Sequence, residues 1–247
     1  RLKKQDKMIL DRERAINEAD KERIRANLLR AISHDLRTPL TSIIGSSDSF
    51  TENYAALSDQ EKLDLVSSIN EDSHWLLNMV ENLLSITRIQ GDTGRVRKED
   101  ELVEEVVSEA ITRIKKRIPD IEIHVTAPDN ILIIPMDPLL IEQVLMNLIE
   151  NAFVHSETNR PVELQISEES DTITFHVIDY GKGIDEQTLP LILKGEYHVP
   201  KTSDTHRGMG IGLSICNTIV QAHGGQISAH NHAHGAEFLF TLPKGDI

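Results

Sequence analysis

Between residues 29 and 43 the apolar side chains Leu29, Ile32, Leu36, Leu40 and Ile43 recur every three or four positions. That spacing gathers them on one face of an α-helix and requires something to cover the face. A second seam follows, in which Ile69, Leu76, Val80, Leu83 and Thr87 step by seven, four, three and four along a helix expected to reach about Ile89. Between the two, Ser58-Asp59-Gln60-Glu61 has the Ser-x-x-Glu form of a capping box, so the first helix is expected to end before Leu57 and a second to start there. Two antiparallel helices cannot bury both stripes alone. A homodimer that joins two hairpins into a four-helix bundle buries both, so dimerisation is an expectation of the pattern.

The first of these helices carries Ser33-His34-Asp35-Leu36-Arg37-Thr38-Pro39-Leu40. His34 falls off the apolar stripe, beside the carboxylate of Asp35. An imidazole on the wet side of a helix can act as a nucleophile while a neighbour orients its second ring nitrogen. Thr38 lies one turn further on and shares the face of His34. Pro39 has no N–H to offer the carbonyl of Asp35, which favours a bend beside the histidine. Taken alone, an exposed histidine is an ordinary surface residue.

With 40 acidic and 26 basic residues the chain carries a formal charge of −14, which repels nucleic-acid phosphates and anionic lipid, so no nucleic-acid partner is expected. The single cysteine, Cys216, excludes an internal disulfide and a cysteine-based metal cage, and its neighbours Ile215, Ile219 and Val220 make it small core filler. No apolar run reaches the roughly 20 residues that span a bilayer. Residues 1–26 are highly charged, with Leu2, Ile9 and Ile16 seven apart, a pattern that fits a coiled-coil connector and a solvated helix equally. Gly91-Asp92-Thr93-Gly94 breaks the helical pattern. The expected organisation is a connector at 1–26, a helical hairpin at 27–91 and a further domain at 95–247.

That last domain has mixed signals. A helix near Leu102 to Arg117 precedes strands at Ile121 to Thr126 and Ile131 to Ile134, and Asp137-Pro138 then caps a helix running to about Val154. Strands at Val162 to Ser167 and Thr172 to Ile178, a glycine-containing loop, a helix from Ile211 to Ala222 and a hairpin within Gln226 to Leu242 complete an α+β sandwich with helices on one face of a largely antiparallel sheet. Asn147 and Asn151 are one helical turn apart, and amides there can bind Mg²⁺ and phosphate oxygens without adding negative charge. Asp179-Tyr180-Gly181-Lys182-Gly183 follows a strand end, where a carboxylate can accept the exocyclic amine of adenine and two glycines let the backbone approach the ring. Gly208-Met209-Gly210-Ile211-Gly212 precedes a helix whose N-terminal amides can face phosphate. No Gly-x-Gly-x-x-Gly of a βαβ unit and no Walker Gly-Lys-Ser/Thr is present. His230, His232 and His234 alternate on one strand, the spacing of hairpin decoration and of a conceivable metal site alike.

The octapeptide around His34 resembles the phosphoacceptor box of sensor histidine kinases residue for residue. The asparagine pair and the two glycine segments resemble the N, G1 and G2 boxes of the GHKL (Bergerat) ATP-binding domain shared by histidine kinases, gyrase, Hsp90 and MutL. The resemblance covers residues 28 to about 242, and Arg88-Ile89-Gln90, Leu102 to Ala110 and Asp137 to Ala152 look most like the Kdp-type, potassium-responsive sensor kinases. It implies a protein-histidine kinase using ATP and Mg²⁺, with His34 autophosphorylated, Asp35 taking or orienting its ring proton, and Thr38 placing water for dephosphorylating a partner. It further implies that Asn147, Asn151, His155, Asp179, Gly181, Gly183, Gly208, Gly210 and Gly212 bind ATP, with Asn151 on Mg²⁺. The partners implied are a second copy of the chain and the receiver domain of a response regulator. Because the sequence opens on Arg1 without an initiator Met and runs straight into a charged helix, it is expected to be the cytoplasmic portion of a longer protein, reaching the membrane only through a sensor region outside this sequence. The family has Lys or Arg where Val154 stands, with His155 next, and a phenylalanine-rich box that Leu189 to Tyr197 lacks, which implies a short lid. These departures keep two other readings open, a degenerate kinase serving as dimeric scaffold or regulator phosphatase and a GHKL-type ATPase.

Overall fold

A computed structural model describes residues 36–89, 96–193 and 211–245. The chain forms two compact units, Arg1–Glu81 and Asn82–Ile247, a division that falls inside a helix. In the first unit residues 36–53 form helix α1, a turn follows at 54–56, and α2 spans Asp59–Ile89. The capping box closes as its sequence demands. Ser58 Oγ accepts from Glu61 N–H at 3.3 Å while Glu61 Oε2 accepts from Ser58 N–H at 2.8 Å, so two backbone donors at the start of α2 are satisfied reciprocally.

The expected stripe on α1 is only partly covered in the single chain. Pro39 is buried and Leu36 and Ile43 are half-buried, but Leu40 is 51% exposed, as is Ile44 at 53%. On α2 Met79 and Asp72 lie deepest and Ile69 and Leu76 are half-buried. Val80, by contrast, is exposed, together with Leu63, Val66, Leu77 and Leu84. The side chains of Leu83 and Thr87 lie outside the described residues, as do Leu29, Ile32 and the connector at 1–26. A two-helix hairpin closes over one narrow seam, and the residues one position away from it remain in solvent.

In the second unit five strands are ordered β2 (Ile123–Thr126), β4 (Val162–Glu168), β5 (Thr172–Ile178), β7 (Gly235–Pro243) and β6 (Gln226–His232), with β2 parallel to β4 and every other pair antiparallel. Helices α4 (Pro138–Ser156) and α6 (Ile211–Ala222) pack against this sheet and each other, and α3 (Val103–Arg117) packs on α4. The helix-side face is built from alternate residues of the strands, Leu164 and Ile166, Ile173, Phe175 and Val177, Phe238, Phe240 and Leu242, all buried. Phe175 and Phe240 are register partners and stack at 4.6 Å. A separate ribbon pairs β1 (Glu99–Leu102) with β3 (Ile133–Met136). Strand β1 was not expected, because Glu99-Asp100-Glu101-Leu102 has no apolar alternation; its pairing comes from β3. The third strand also starts later than expected, at Ile133, leaving Ile131 78% exposed. A short helix α5 spans Leu189–Ile192. Cys216 is buried and its thiol is pushed up to about 12, burial outweighing a hydrogen bond from Asn147.

The joint between α4 and α6 turns on His223, which is 1% exposed. Its Nδ1–H donates to Ile219 O at 2.8 Å, and its Nε2 accepts the N–H of Asp137 at 3.1 Å, which fixes a neutral ring. Asp137 in turn caps α4 by accepting from Leu140 N–H at 3.2 Å. Lys98 donates to the carbonyl of His223 at 2.7 Å. Burial lowers the pKa of His223 and Lys98 adds to the effect, against the pull of the Ile219 hydrogen bond and Asp137. A ring neutral when folded but protonated when unfolded makes the unfolded state bind more protons below about 6.5, so stability falls as pH drops through that value. Melting curves taken from pH 7.5 down to 5.5 should therefore show an acid-side loss that is shallower in His223→Gln, whose amide oxygen can accept from Asp137 without titrating. An equal slope in variant and wild type would remove His223 as the source.

Candidate nucleotide site

Helix α4 is flanked by the segment carrying Gly181 and by Gly212 at the start of α6. At its C-terminal end a Cβ on Gly181 would collide with the Ser156 backbone, so only glycine lets the segment after β5 lie against the helix. Midway along, the Asn147 side chain faces Gly212 at the start of α6, with Cγ 4.0 Å from where a Cβ on that glycine would sit. Gln143 Nε2 donates to Asn147 Oδ1 at 3.2 Å and so orients the amide. Asn151, one turn on, is half-buried.

Asp179 is 7% exposed at the end of β5. Its Oδ1 accepts from Gly181 N–H at 2.9 Å and from Ala236 N–H at 3.3 Å. Two backbone donors on one oxygen hold the carboxylate plane and leave Oδ2 for a ligand donor such as an aromatic amine. Gly183 adopts φ +75°, the left-handed region that glycine enters without strain. Tyr180 OH donates to Glu163 at 2.7 Å, which raises its pKa, and Arg160 lies over the Tyr180 ring at 5.4 Å.

The charge at the α4 terminus is balanced rather than anionic. Lys182 pairs with Glu157 at 2.7 Å, the residue that closes α4 in a left-handed conformation at φ 53°, and this lowers the Glu157 pKa. Both partners are well exposed, so the pair contributes little stability. His155 is exposed at its outer edge; shielding of the rest of the ring and the Lys182 ammonium push its pKa down, against Asp179 and Glu157. Val154 is half-buried and, unlike Phe153, does not pack on the core.

Of the residues singled out in the sequence, Asn147, Asn151, His155, Asp179, Gly181, Gly183 and Gly212 fall along α4 or on the two segments beside it. Thr38 is exposed on α1. His34, Asp35, Gly208 and Gly210 lie outside the described residues. The alternating histidines have separate tasks. His230 Nε2 bonds Glu237 Oε2 at 2.7 Å and His232 Nε2 bonds the Asp179 carbonyl at 2.8 Å, while His176 from β5 takes the other oxygen of Glu237. Burial disfavours the Glu237 carboxylate, but its two histidine partners outweigh that and lower its pKa. Among the described residues no group of three or more His, Cys, Asp or Glu is placed to hold a metal ion. Sequence reasoning missed Asn231 and Gly235, which border the Asp179 segment. Their only local signal is a polar residue and a glycine at a hairpin turn.

Residues 24–92 match the family model described as His Kinase A (phospho-acceptor) domain, and residues 136–246 match the histidine kinase-, DNA gyrase B-, and HSP90-like ATPase. The chain is 42% identical over 243 residues to the sensor protein KdpD of Clostridium acetobutylicum, covering 97% of this chain and 27% of that protein. It is 34% identical to KdpD of Escherichia coli K12, covering 94% of this chain and 26% of the relative. The chain thus spans about a quarter of the length of these curated relatives. Among solved structures, the catalytic domain of the histidine kinase ThkA matches with a TM-score of 0.51 at 26% identity, over 60% of this chain and 95% of that one. ThkA solved in complex with the response regulator protein TrrA shares the fold over 89% of this chain and 61% of that one, with a TM-score of 0.67 at 22% identity. With a phosphoacceptor domain ahead of an ATPase domain and KdpD proteins aligned along nearly its whole length, the chain belongs to the sensor histidine kinases.

Proposed function

We propose that this chain is an ATP-dependent protein-histidine kinase of the Kdp type. The observation that carries the reading is the placing of Gly181, with the Asp179 carboxylate bonded to its N–H, at the end of α4 and of Gly212 beside Asn147 midway along it, in a chain whose residues 24–92 match a phosphoacceptor domain. Asp179 takes the adenine amine, the asparagines face the triphosphate, and the glycine segment 208–212 lines the phosphates. Asn151 supplies a neutral amide oxygen of the kind hard Mg²⁺ accepts, and Mg²⁺ bound with ATP would offset charge on the phosphates. A ring nitrogen of His34 attacks the γ-phosphorus, the bond to the ADP oxygen breaks, and Asp35 takes or orients the proton on the other ring nitrogen. The phosphoryl group then passes to an aspartate of a response-regulator receiver domain, and Thr38 positions water when the same protein dephosphorylates that regulator. An amide at Asn147 cannot act as a base for water, which favours transfer over hydrolysis.

The working unit in this reading is a homodimer, with the hairpin at 27–91 as phosphoacceptor and 95–247 as ATP-binding domain. The exposed Leu40, Ile44, Leu63, Val66, Leu77 and Val80 of α1 and α2 support it, since such faces are covered in a four-helix bundle. No described helix is long and apolar enough to cross a membrane. Kinship with much longer proteins named as sensors supports a place on the cytoplasmic side of the cell membrane, attached through a sensing region. Labelled Mg·ATP tests the reading. Phosphate on histidine is lost in acid and kept in base, so an acid-labile, base-stable label supports the kinase, and turnover without label overturns it in favour of an ATPase.

Val154 adds a quantitative test of where the phosphates run. Because it stands clear of the core, Val154→Lys should fold normally and present an ammonium to the triphosphate. A partly exposed charge-assisted contact of about 1 to 2 kcal/mol tightens ATP and ADP roughly five- to thirty-fold. Adenosine binding should hardly change. Calorimetry of the three ligands, with the melting temperature of the unliganded variant, checks this; a lowered melting temperature with no tighter binding would place Val154 away from the phosphates.

A further inference from the structure

The segment that carries Asp179 is held from outside by two consecutive residues of β6. Asn231 Oδ1 accepts from Ile184 N–H at 2.7 Å and its Nδ2 donates to Ile184 O at 2.6 Å, a two-point clamp on the backbone of one residue. The clamp lies close to the turn itself, since a Cβ on Gly183 would fall 2.9 Å from Asn231 Oδ1. His232, pointing to the opposite side of the strand, donates from Nε2 to the Asp179 carbonyl at 2.8 Å while its Nδ1 accepts from His234 N–H at 3.3 Å. These partners fix a neutral ring with the proton on Nε2. The hairpin backbone completes the cradle. Asp179 N–H donates to Ala236 O at 2.9 Å, and a Cβ on Gly235 would collide with the Asp179 carbonyl.

We propose that Asn231 and His232 are positioning residues for base selection, which tether residues 179–184 at both ends and so set where Asp179 presents its carboxylate. The inference rests on the reading of Asp179 as the acceptor for the adenine amine. Its discriminating quantity is the preference for ATP over ITP, which carries an oxygen where adenine has its amine. A residue that only supports the fold weakens both nucleotides together. One that aims Asp179 changes their ratio, because only ATP presents an exocyclic amine to that carboxylate.

The test uses the whole 247-residue chain and dissociation constants for ATP and ITP. Asn231→Asp keeps the shape of the side chain but cannot donate to Ile184 O, and His232→Phe keeps the ring but not the donor. Each should cut the ATP/ITP preference about five-fold, mainly by weakening ATP. His232→Gln, whose amide can donate to the Asp179 carbonyl, should restore most of it. Melting temperatures of the unliganded variants separate loss of aim from loss of fold. Unchanged preference in Asn231→Asp and His232→Phe, or equal weakening of both nucleotides, overturns the proposal. Asp179→Asn is the control on the underlying reading. If it keeps the wild-type preference, the adenine assignment falls and the inference with it; if it loses the preference while the hairpin variants keep theirs, the inference alone falls.

Discussion

His34→Gln abolishes transfer of the γ-phosphoryl group of ATP to the chain, by roughly 10³-fold or more, while ATP affinity stays within a few-fold of wild type. Glutamine keeps the length and polarity of the side chain but offers no nucleophilic nitrogen. On the proposed reading the acceptor falls in the match at 24–92 and the nucleotide site in the match at 136–246, so the loss should be confined to chemistry. Radiolabelled Mg·ATP, with counting after acid and alkali treatment, measures the first quantity, and calorimetry the second. The chain has 11 histidines. Acid-labile label persisting at wild-type level on the variant would move the acceptor to another of them.

Asp179→Asn has the converse effect, with nucleotide binding weakened and the self-association of the chain unchanged. The amide oxygen can still accept from Gly181 and Ala236, so the turn after β5 survives. What changes is the outward atom, where an acceptor for the adenine amine becomes a second donor facing it. A hydrogen bond to a charged group is worth about 1.5 to 3 kcal/mol, so ATP affinity should fall roughly ten- to a hundred-fold or more. Titration calorimetry with ATP, paired with sedimentation to follow the dimer, is the measurement. Undiminished binding would take Asp179 out of the site.

The elements most legible in the sequence are those with local punctuation. Asp137-Pro138 opens α4 where expected, Ser58 and Glu61 open α2, and β5 and α6 span the anticipated residues, because caps, a proline and apolar periodicity act within a few positions. Strand β1 was illegible, since its acidic residues are strand only through pairing with β3. Leu40 and Val80 lie on the expected apolar stripes and are exposed in the single chain, which fits the expectation that a hairpin cannot cover both stripes by itself. Within the site, the residue types that would touch nucleotide were visible as motifs, whereas the Asn231 clamp joins residues 47 apart and exists only once β6, β7 and the segment after β5 are in register. The partners of the alternating histidines were illegible for the same reason: His230 and His232 share a strand face, as residues decorating a hairpin do, but bond to different neighbours, Glu237 and the Asp179 carbonyl.

The chain's one thiol, Cys216, is buried against α4 with its pKa raised to about 12, so almost no thiolate exists at neutral pH and no reagent reaches it. The wild-type protein is therefore already a silent background for thiol labelling. A single cysteine introduced at exposed Leu77 or Ile44 would be the sole reactive position per chain. In a homodimer each such site pairs only with its own copy, so one spin-label distance per variant, collected along α1 and α2, maps the spacing of the two hairpins without removing any native residue that packs the core.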